Sequence, residues 1–434
     1  MKAMNLQDLK KKNDLSFLEV FNQKESNHSV TYTANKLKQT EVSHHEGKAV
    51  RLVKNGRIGF ASSYGKIDLE KIVSSAQKVS KFYPETKIIF PEKLKLKEED
   101  KSNGKSNVLE MFKESGKEII DHVLSSTGVD SLLVDVSFDV SDSFESLENT
   151  NDFEYSYPHK VYSFSVNLRE TLETDFIEIF TASADSMLPD YIQYVNEAIN
   201  LYKLSKKHAK IKNGSCPVLF TSRAAKDLLG IIEMALSGKQ VNQKSSPWHN
   251  KIGQKVLSPL ISIKQDPTFG YMARKIDDEG SKILPLSFVT NGILENFYYD
   301  LSCASNSELV KQSTGNGFRG SITSLPEPSL LNLIVSNGQK SFNELVKSVN
   351  YGLLVDQTMG GLTANISGDI SMNIDLGFLI EKGEIVGRVK DTMISGNIYN
   401  ALNNVLELSN NSKWYWSEMY NPDMLLDGFM VSSG

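Results

Sequence analysis

The chain has 434 residues, 40% of them apolar and 23% charged, with a formal net charge of −5. That length allows two or three domains of an ordinary globular chain, and the mild negative charge offers no broad basic face to nucleic acid. Cys216 and Cys303 are too few for a disulfide framework or a four-cysteine zinc site, and the absence of a run of 18 apolar residues excludes an apolar membrane span.

The N-terminus runs from Met1 to Leu6 and into Lys10-Lys11-Lys12 without an apolar segment, so no secretory signal is expected and the cytoplasm is the expected compartment. Residues 28 to 64 read as consecutive strands, because Val30, Tyr32, Val50 and Leu52 alternate with polar neighbours. Asn55-Gly56 is a hairpin turn, since both residues tolerate positive φ. Asp68 caps a helix carrying Leu69, Ile72, Val73, Ala76 and Val79 on one face, and Pro84 stops it. Residues 91 to 106 are lysine- and glutamate-rich and read as a loop or mobile insertion, followed by a helix over 107–125. Segments 132–140 and 161–168 alternate as long strands with one wet face. A helix over 190–208 places Ile192, Val195, Ile199 and Tyr202 on one face.

Asn213-Gly214-Ser215 marks the expected domain boundary, giving domains of 1–212 and 213–434. Beyond it come a strand, Pro217–Phe220, and a helix from Ser222 with Leu228, Leu229, Ile232 and Leu236 on its apolar face, ended by Gly238. After Val256 the chain reads as strands and turns, including a strand at 331–335 and a hairpin at 377–386. A last helix starts at Gly396-Asn397-Ile398 and runs through Ala401, Val405 and Leu408. The fold class is therefore α+β: an N-terminal α/β domain of strands with flanking helices and a mainly β C-terminal domain.

Asp266 to Gly320 is the chemically dense stretch. It holds Asp266-Pro267, Asp277-Asp278-Glu279-Gly280, Asn291-Gly292 and Ser313-Thr314-Gly315-Asn316-Gly317-Phe318-Arg319-Gly320. Hairpin turns with solvated acids and a cleft built from loops are both open readings, solvation being the simpler for three consecutive carboxylates. Gly315 to Gly320 matches G-x-G-x-x-G, but its polar approach and Pro326 and Pro328 beyond it argue against a dinucleotide site. None of the seven histidines forms H-E-x-x-H, and neither a G-x-S-x-G elbow nor a Walker A loop is present.

The ordered set Ala224-Ala225, Leu228-Leu229, Ser237-Gly238, Gly253, Asp266-Pro267, Asp277 to Gly280, Gly315-Asn316, Ser367 to Ser371, Gly396-Asn397 and Gly428 to Val431 resembles the TldD/PmbA family. The likeness is specific in the C-terminal half and weak in the N-terminal half. It implies a dimer around a central cavity, with an α/β N-terminal and a mainly β C-terminal domain. In the metal-bearing branch a helix carries H-E-x-x-x-H, which on Leu228-Leu229 would fall at 230–235. Gly230, Ile231 and Ala235 stand there, and residues 410 to 434 lack the family's third ligand, a cysteine.

The resemblance is therefore to the metal-free PmbA branch, the modulator of DNA gyrase type. It implies no catalytic residue and no cofactor here, zinc being expected only in a TldD-type partner. It also implies a homodimer or a heterodimer with that metallopeptidase subunit, unfolded peptide as substrate, and neither nucleic acid nor membrane as partner. Asp277, Asp278, Glu279, Gly315, Asn316 and Arg319 are the peptide-cleft candidates. An independent hydrolase with a metal site around His249 and the acids of 277–279, or a peptide-binding module without catalysis, stays open beside this reading. The apolar tail, with Trp414, Trp416, Met419, Tyr420, Met424, Leu425, Leu426, Phe429 and Met430, is expected to be docked, either on its own domain or at a dimer contact.

Overall fold

The computed structural model describes residues 5–65, 68–99, 108–173, 175–359, 365–414 and 418–434. Two sheets organise the α+β chain. The first has seven strands, ending at Asp185, and the second thirteen, all from Gly214 onward.

In the first sheet the long strands Phe17–Thr33, Lys36–Lys54, Leu133–Asn149 and Phe153–Leu172 pair antiparallel, with Arg57–Tyr64 on one side and Asp175–Asp185 on the other. The pattern is legible from the pleat: Val134, Val136, Phe138 and Val140 alternate inward. Asn55 and Gly56 turn one hairpin at φ of 50° and 72°. The first strand begins at Phe17 rather than near residue 28. Its opening Phe17 to Phe21 is buried on both faces, so no alternation betrays it. A short helix, Leu6–Lys12, capped by the Asn5 side chain, precedes it.

The helices Val108–Thr127 and Tyr191–Ser205 cover one face of this sheet through Phe112, Ile119, Val123, Val195, Ile199 and Tyr202. Ile192, assigned to that apolar face from the sequence, is 46% exposed. The helix Leu69–Ser80, capped by Asp68, covers a different part of the sheet with Ile72, Val73 and Ala76. Within 91–106, Lys95–Lys97 is a short parallel strand beside Glu154–Ser156, and residues 100–106 lie outside the described residues.

The second sheet runs through Val218–Phe220, Tyr351–Thr358, Asp369–Glu381 and Met419–Leu426. Helix Ser222–Leu236 lies on it, burying Ala224, Ala225, Leu228, Leu229, Ile231, Ile232, Ala235 and Leu236. Gly238 does not close this helix: Ser237, extended at ψ 125°, separates it from a further turn, Gly238–Asn242. A Cβ on Gly238 would stand 2.2 Å from the Tyr299 ring, so close packing is what requires glycine there. The last helix stops at Asn403, and Val405 and Leu408 belong to the strand Val405–Trp414, where pairing with Met419–Leu426 overrides the helical spacing.

The apolar tail is an internal strand. Met419–Leu426 lies between Val218–Phe220 and Leu333–Val335, with Met424, Leu426 and Phe429 fully buried, and Met430 exposed. Its buried side chains are used within this chain, in its own sheet and in the core shared with the first half, and give no support to a dimer contact; Trp416 lies outside the described residues. One core joins the halves, because Leu219, Leu345, Leu354, Phe378 and Leu425 pack in the same cluster as Phe138, Phe164 and Tyr202.

Two glycines give opposite tests of this packing. A Cβ on Gly59 would meet the Ala76 carbonyl oxygen at 2.2 Å, whereas one on Gly230 finds nothing within 4 Å. Gly59→Ala is expected to lose about 1–3 kcal/mol, and Gly230→Ala to gain roughly 0.5–1 kcal/mol by relieving a helical glycine. Urea unfolding midpoints measure both, and equal midpoints would contradict this packing.

Candidate functional site

The acid run Asp277-Asp278-Glu279 is not solvated. Its members are 1%, 7% and 1% exposed. Burying ionised carboxylates is costly unless they are bonded, and each is. Asp277 accepts the backbone N–H of Glu279 (3.0 Å), Ser281 (2.8 Å) and Gly317 (2.9 Å). Asp278 accepts from the Arg274 guanidinium (2.5 Å) and the Arg319 backbone N–H (2.7 Å). Glu279 accepts from Arg51 at 2.6 Å and from the Leu301 N–H at 2.7 Å.

One of these partners, Arg51, comes from the first sheet. Arg51 also forms a two-pronged contact with Glu19 (3.0 and 3.1 Å), the residue directly across the strand pair. Arg274 reaches Glu145 at 2.9 Å, and Arg319 lies 3.7 Å from Glu19. Aromatic faces complete each guanidinium's surroundings: Phe90 for Arg51, Tyr157 and Phe318 for Arg274, Phe21 for Arg319. The sequence candidates thus form a seam between the halves rather than the floor of an open cleft.

The glycines fit this seam. Gly315, at φ 77°, would place a Cβ 2.3 Å from the Lys282 carbonyl, and Gly317 would place one 2.3 Å from the Glu279 carboxylate. The G-x-G spacing therefore serves close approach, with no helix after it. Asn316 is fully buried and bonded to Gln265, Thr314 and the Ser329 carbonyl, a brace that cannot reach a ligand.

Five carboxylates (Glu19, Glu145, Asp277, Asp278, Glu279) face three guanidiniums in this seam. The imbalance shows in proton affinity. Burial, then the neighbouring Asp278, holds the Glu145 carboxyl up at about 7 against the pull of Arg274. Burial, then Glu279, likewise raises Asp300 to about 7. Burial and Glu279 also push Asp277 upward, against its three backbone donors.

A cavity of about 380 Å³ opens beside the seam, with Asp278 and Arg319 in its wall, and that volume is in the range of small-ligand sites, roughly 300–1,000 Å³. Its other wall is apolar. Asn332 accepts the Asp266 N–H and donates to the Asp266 and Phe269 carbonyls, fixing the loop that presents Phe269, Gly270 and Tyr271. Gly270, at φ 92°, lets this loop approach Trp414, whose ring a Cβ would meet at 2.9 Å. Phe269, Tyr271 and Trp414 line the cavity, and Tyr420 packs against Trp414 at 5.0 Å between ring centres. The sequence carried these aromatics only as scattered residues in two segments about 150 positions apart. Glu279 lies in the wall of a second cavity, about 370 Å³, with Arg51, Asp300 and Cys303.

Gly230 sits on the open side of helix Ser222–Leu236, whereas Ile231 and Ala235 are fully buried in the core. Positions 231 and 235 therefore cannot present groups to a cleft, and the two ends of a motif at 230–235 do not share the open face. His249 is set by a 2.9 Å contact from Nδ1 to the Ser246 carbonyl. Among the described residues no three His, Cys, Asp or Glu side chains gather as metal ligands, so His249 and the acids of 277–279 do not assemble into a metal site. The described helices include none long and apolar enough to cross a membrane.

Residues 213–433 match the family described as the PmbA/TldA metallopeptidase C-terminal domain, and residues 18–80 match its domain 1. An uncharacterized protein of Methanocaldococcus jannaschii is 26% identical over 400 residues, 91% of each chain. A Buchnera aphidicola protein named as a metalloprotease PmbA homolog is 31% identical over 46% of this chain and 42% of its own length. In three dimensions the chain is similar to TldE from Thermococcus kodakarensis, with a TM-score of 0.88 at 21% identity over 98% of both chains. It is also similar to a Thermotoga maritima protein named as a candidate modulator of a DNA gyrase, with a TM-score of 0.85 at 23% identity over 98% of both chains.

Two predictions follow from the seam's charges. Arg51→Met leaves Glu19 and Glu279 buried without their cation, and unfolding free energy is expected to drop by about 3–5 kcal/mol; a loss below about 1 kcal/mol, the scale of surface pairs, would refute the assignment. The raised carboxyls of Glu145 and Asp300 retain protons that the unfolded chain has released. Stability is therefore expected to fall as pH rises from about 5 through 7. His159, lowered to about 4 mainly by burial, opposes this only below about 6.5 and is a single group. Urea midpoints across this window, wild type against Glu145→Gln with Asp300→Asn, measure the slope. A midpoint that rises with pH, or a slope unchanged in the double variant, contradicts it.

Proposed function

The chain belongs to the PmbA/TldD metallopeptidase family, and from that premise we propose that it is a peptide-binding, non-catalytic subunit acting with a zinc-bearing, TldD-type partner in a cytoplasmic peptidase system. The observation that carries the reading is the pairing of an aromatic-walled cavity with a helix whose positions 230, 231 and 235 carry no donor for a metal. The residues at 230–235 do not fit the zinc ion that the family implies. Gly230 has no side chain, Ile231 and Ala235 lie in the core, and Asp227, on the same helix, already accepts the Thr358 hydroxyl. Zinc peptidases require three protein donors and an open coordination position, which positions 230–235 do not provide.

What the chain contributes instead is binding. An extended peptide is held by backbone hydrogen bonds that tolerate sequence, with pockets taking alternate side chains. The cavity by Phe269, Tyr271 and Trp414 is such a pocket. Water activation then comes from the partner. Alone the chain pairs with itself, and with a TldD-type subunit it forms a mixed dimer.

Elemental analysis of the pure chain after dialysis against a weak chelator is expected to find far less than one zinc per chain. Unfolded peptide is expected to survive incubation with it. Adding a TldD-type subunit should give a mixed dimer by light scattering and restore turnover that a chelator abolishes. About one zinc per chain, or chelator-sensitive turnover by the pure chain, would overturn the non-catalytic assignment. A chain that stays monomeric at micromolar concentration with and without the partner would overturn the subunit role.

A further inference from the structure

Four rings meet at one place beside the seam. Phe269 packs on Tyr420 at 5.1 Å between centres, Trp414 on Tyr420 at 5.0 Å, Phe269 on Trp414 at 5.7 Å and Tyr271 on Trp414 at 5.9 Å. Phe269 remains 38% exposed. Such a cluster could be ordinary core, but it borders a cavity and carries a carboxylate at its rim. Glu418 lines the same cavity and is exposed. Behind the cavity residue Leu330, the Glu233 carboxylate accepts the Leu330 backbone N–H and stands within the field of Glu418.

The charges around this place are uneven. Of the cations in the wall, Arg274 is held between Glu145 and Asp278, and Arg319 is directed at Glu19 and the Ser324 carbonyl. Both are committed to the seam. Among the described residues, neither Glu233 nor Glu418 has a basic side chain at ion-pair distance. Burial and then Glu418 lift the Glu233 carboxyl to about 7, and burial, Glu418 and Asp185 lift the Tyr271 hydroxyl to about 12. Glu418 shares the cavity wall with Phe269, Tyr271 and Trp414.

Aromatic faces attract cations through the ring quadrupole, and an adjacent carboxylate without a cation completes the complement of an ammonium or guanidinium. The methylene stem of such a side chain also suits apolar walls, since lysine and arginine bury their stems while the charged head keeps polar company. We propose that this pocket is a subsite for a cationic group of the bound peptide, a lysine or arginine side chain or the terminal amine, with Phe269, Tyr271 and Trp414 enclosing it and Glu418 neutralising it. The assignment rests on the peptide-binding reading and adds a preference to it.

Fluorescence anisotropy on the full chain tests it with three short, dye-labelled Gly/Ser peptides: one N-acetylated with a central lysine, one N-acetylated with norleucine in its place, and one with norleucine and a free amino terminus. The lysine peptide or the free-amine peptide is expected to bind roughly five- to tenfold tighter than the acetylated norleucine peptide. Which of the two gains identifies the side chain or the terminus as the source of charge. Glu418→Gln, a conservative change at an exposed position, should abolish most of that preference. Equal binding of all three peptides, or a preference that survives Glu418→Gln, overturns the subsite and leaves peptide binding standing. No binding of any peptide overturns both.

Discussion

Arg51 between Glu19 and Glu279 is the contact on which the arrangement of the two halves depends. Glu19 and Arg51 are opposite each other in one strand pair, so the sheet register alone brings them together. Glu279 arrives from 228 positions away. A buried guanidinium needs its charge answered and its fixed donors aligned, so its geometry selects one way of setting the loop at 277–279 against the first sheet. Apolar residues could supply comparable stability at such a place, since desolvation consumes most of the Coulomb gain. What they would not supply is direction. The large shared core, where Leu219, Phe378 and Leu425 meet Phe138 and Phe164, provides attraction between the halves, and the seam provides orientation.

That orientation shapes the cavity. Arg274 spans Glu145 on the first sheet and Asp278 on the loop, and the Arg319 backbone closes onto the same Asp278. Arg274, Glu145 and Asp278 are bonded to one another, so most of the polar wall is occupied, Arg319 Nε being left without a hydrogen-bond partner among the described residues. The opposite wall, the one the proposed peptide site uses, is the loop of Phe269 to Tyr271 pinned by Asn332 and packed against Trp414. A rigid frame carrying a loop-borne binding face is a common division of labour in proteins. Here the frame is ionic and the face is aromatic.

Local signals were legible in the sequence wherever short-range chemistry decides the backbone. Asn55-Gly56, Asn291-Gly292, the Asp68 cap and the 377–386 hairpin all stand where turn and cap chemistry put them. Partners distant in sequence were not legible. Three adjacent acids read as solvated because nothing within helical or hairpin reach neutralises Glu279; its cation is Arg51. The aromatic pocket was invisible for the same reason, its rings coming from 269–271 and 414–420. The tail was read rightly as docked but left open between two sites, because a strand buried between two others and an interface strand have the same composition.

Helix Ser222–Leu236 shows how far a motif position can be read without its face. Five residues of α-helix turn through roughly 500°, so positions 230 and 235 point about 140° apart, and the core claims Ile231 and Ala235 while leaving Gly230 to open space. The half-buried residues on the turns flanking Gly230 are Lys226, Asp227, Glu233 and Met234. Asp227 is already bonded by Thr358, and Glu233 accepts the Leu330 backbone N–H. Two committed carboxylates fall short of the three protein donors that a hydrolytic zinc centre needs. In the proposed reading such chemistry comes from another molecule, and what this chain contributes is a rigid seam, a braced loop and a cavity whose rim carries Glu418, a carboxylate without a basic side chain at ion-pair distance among the described residues.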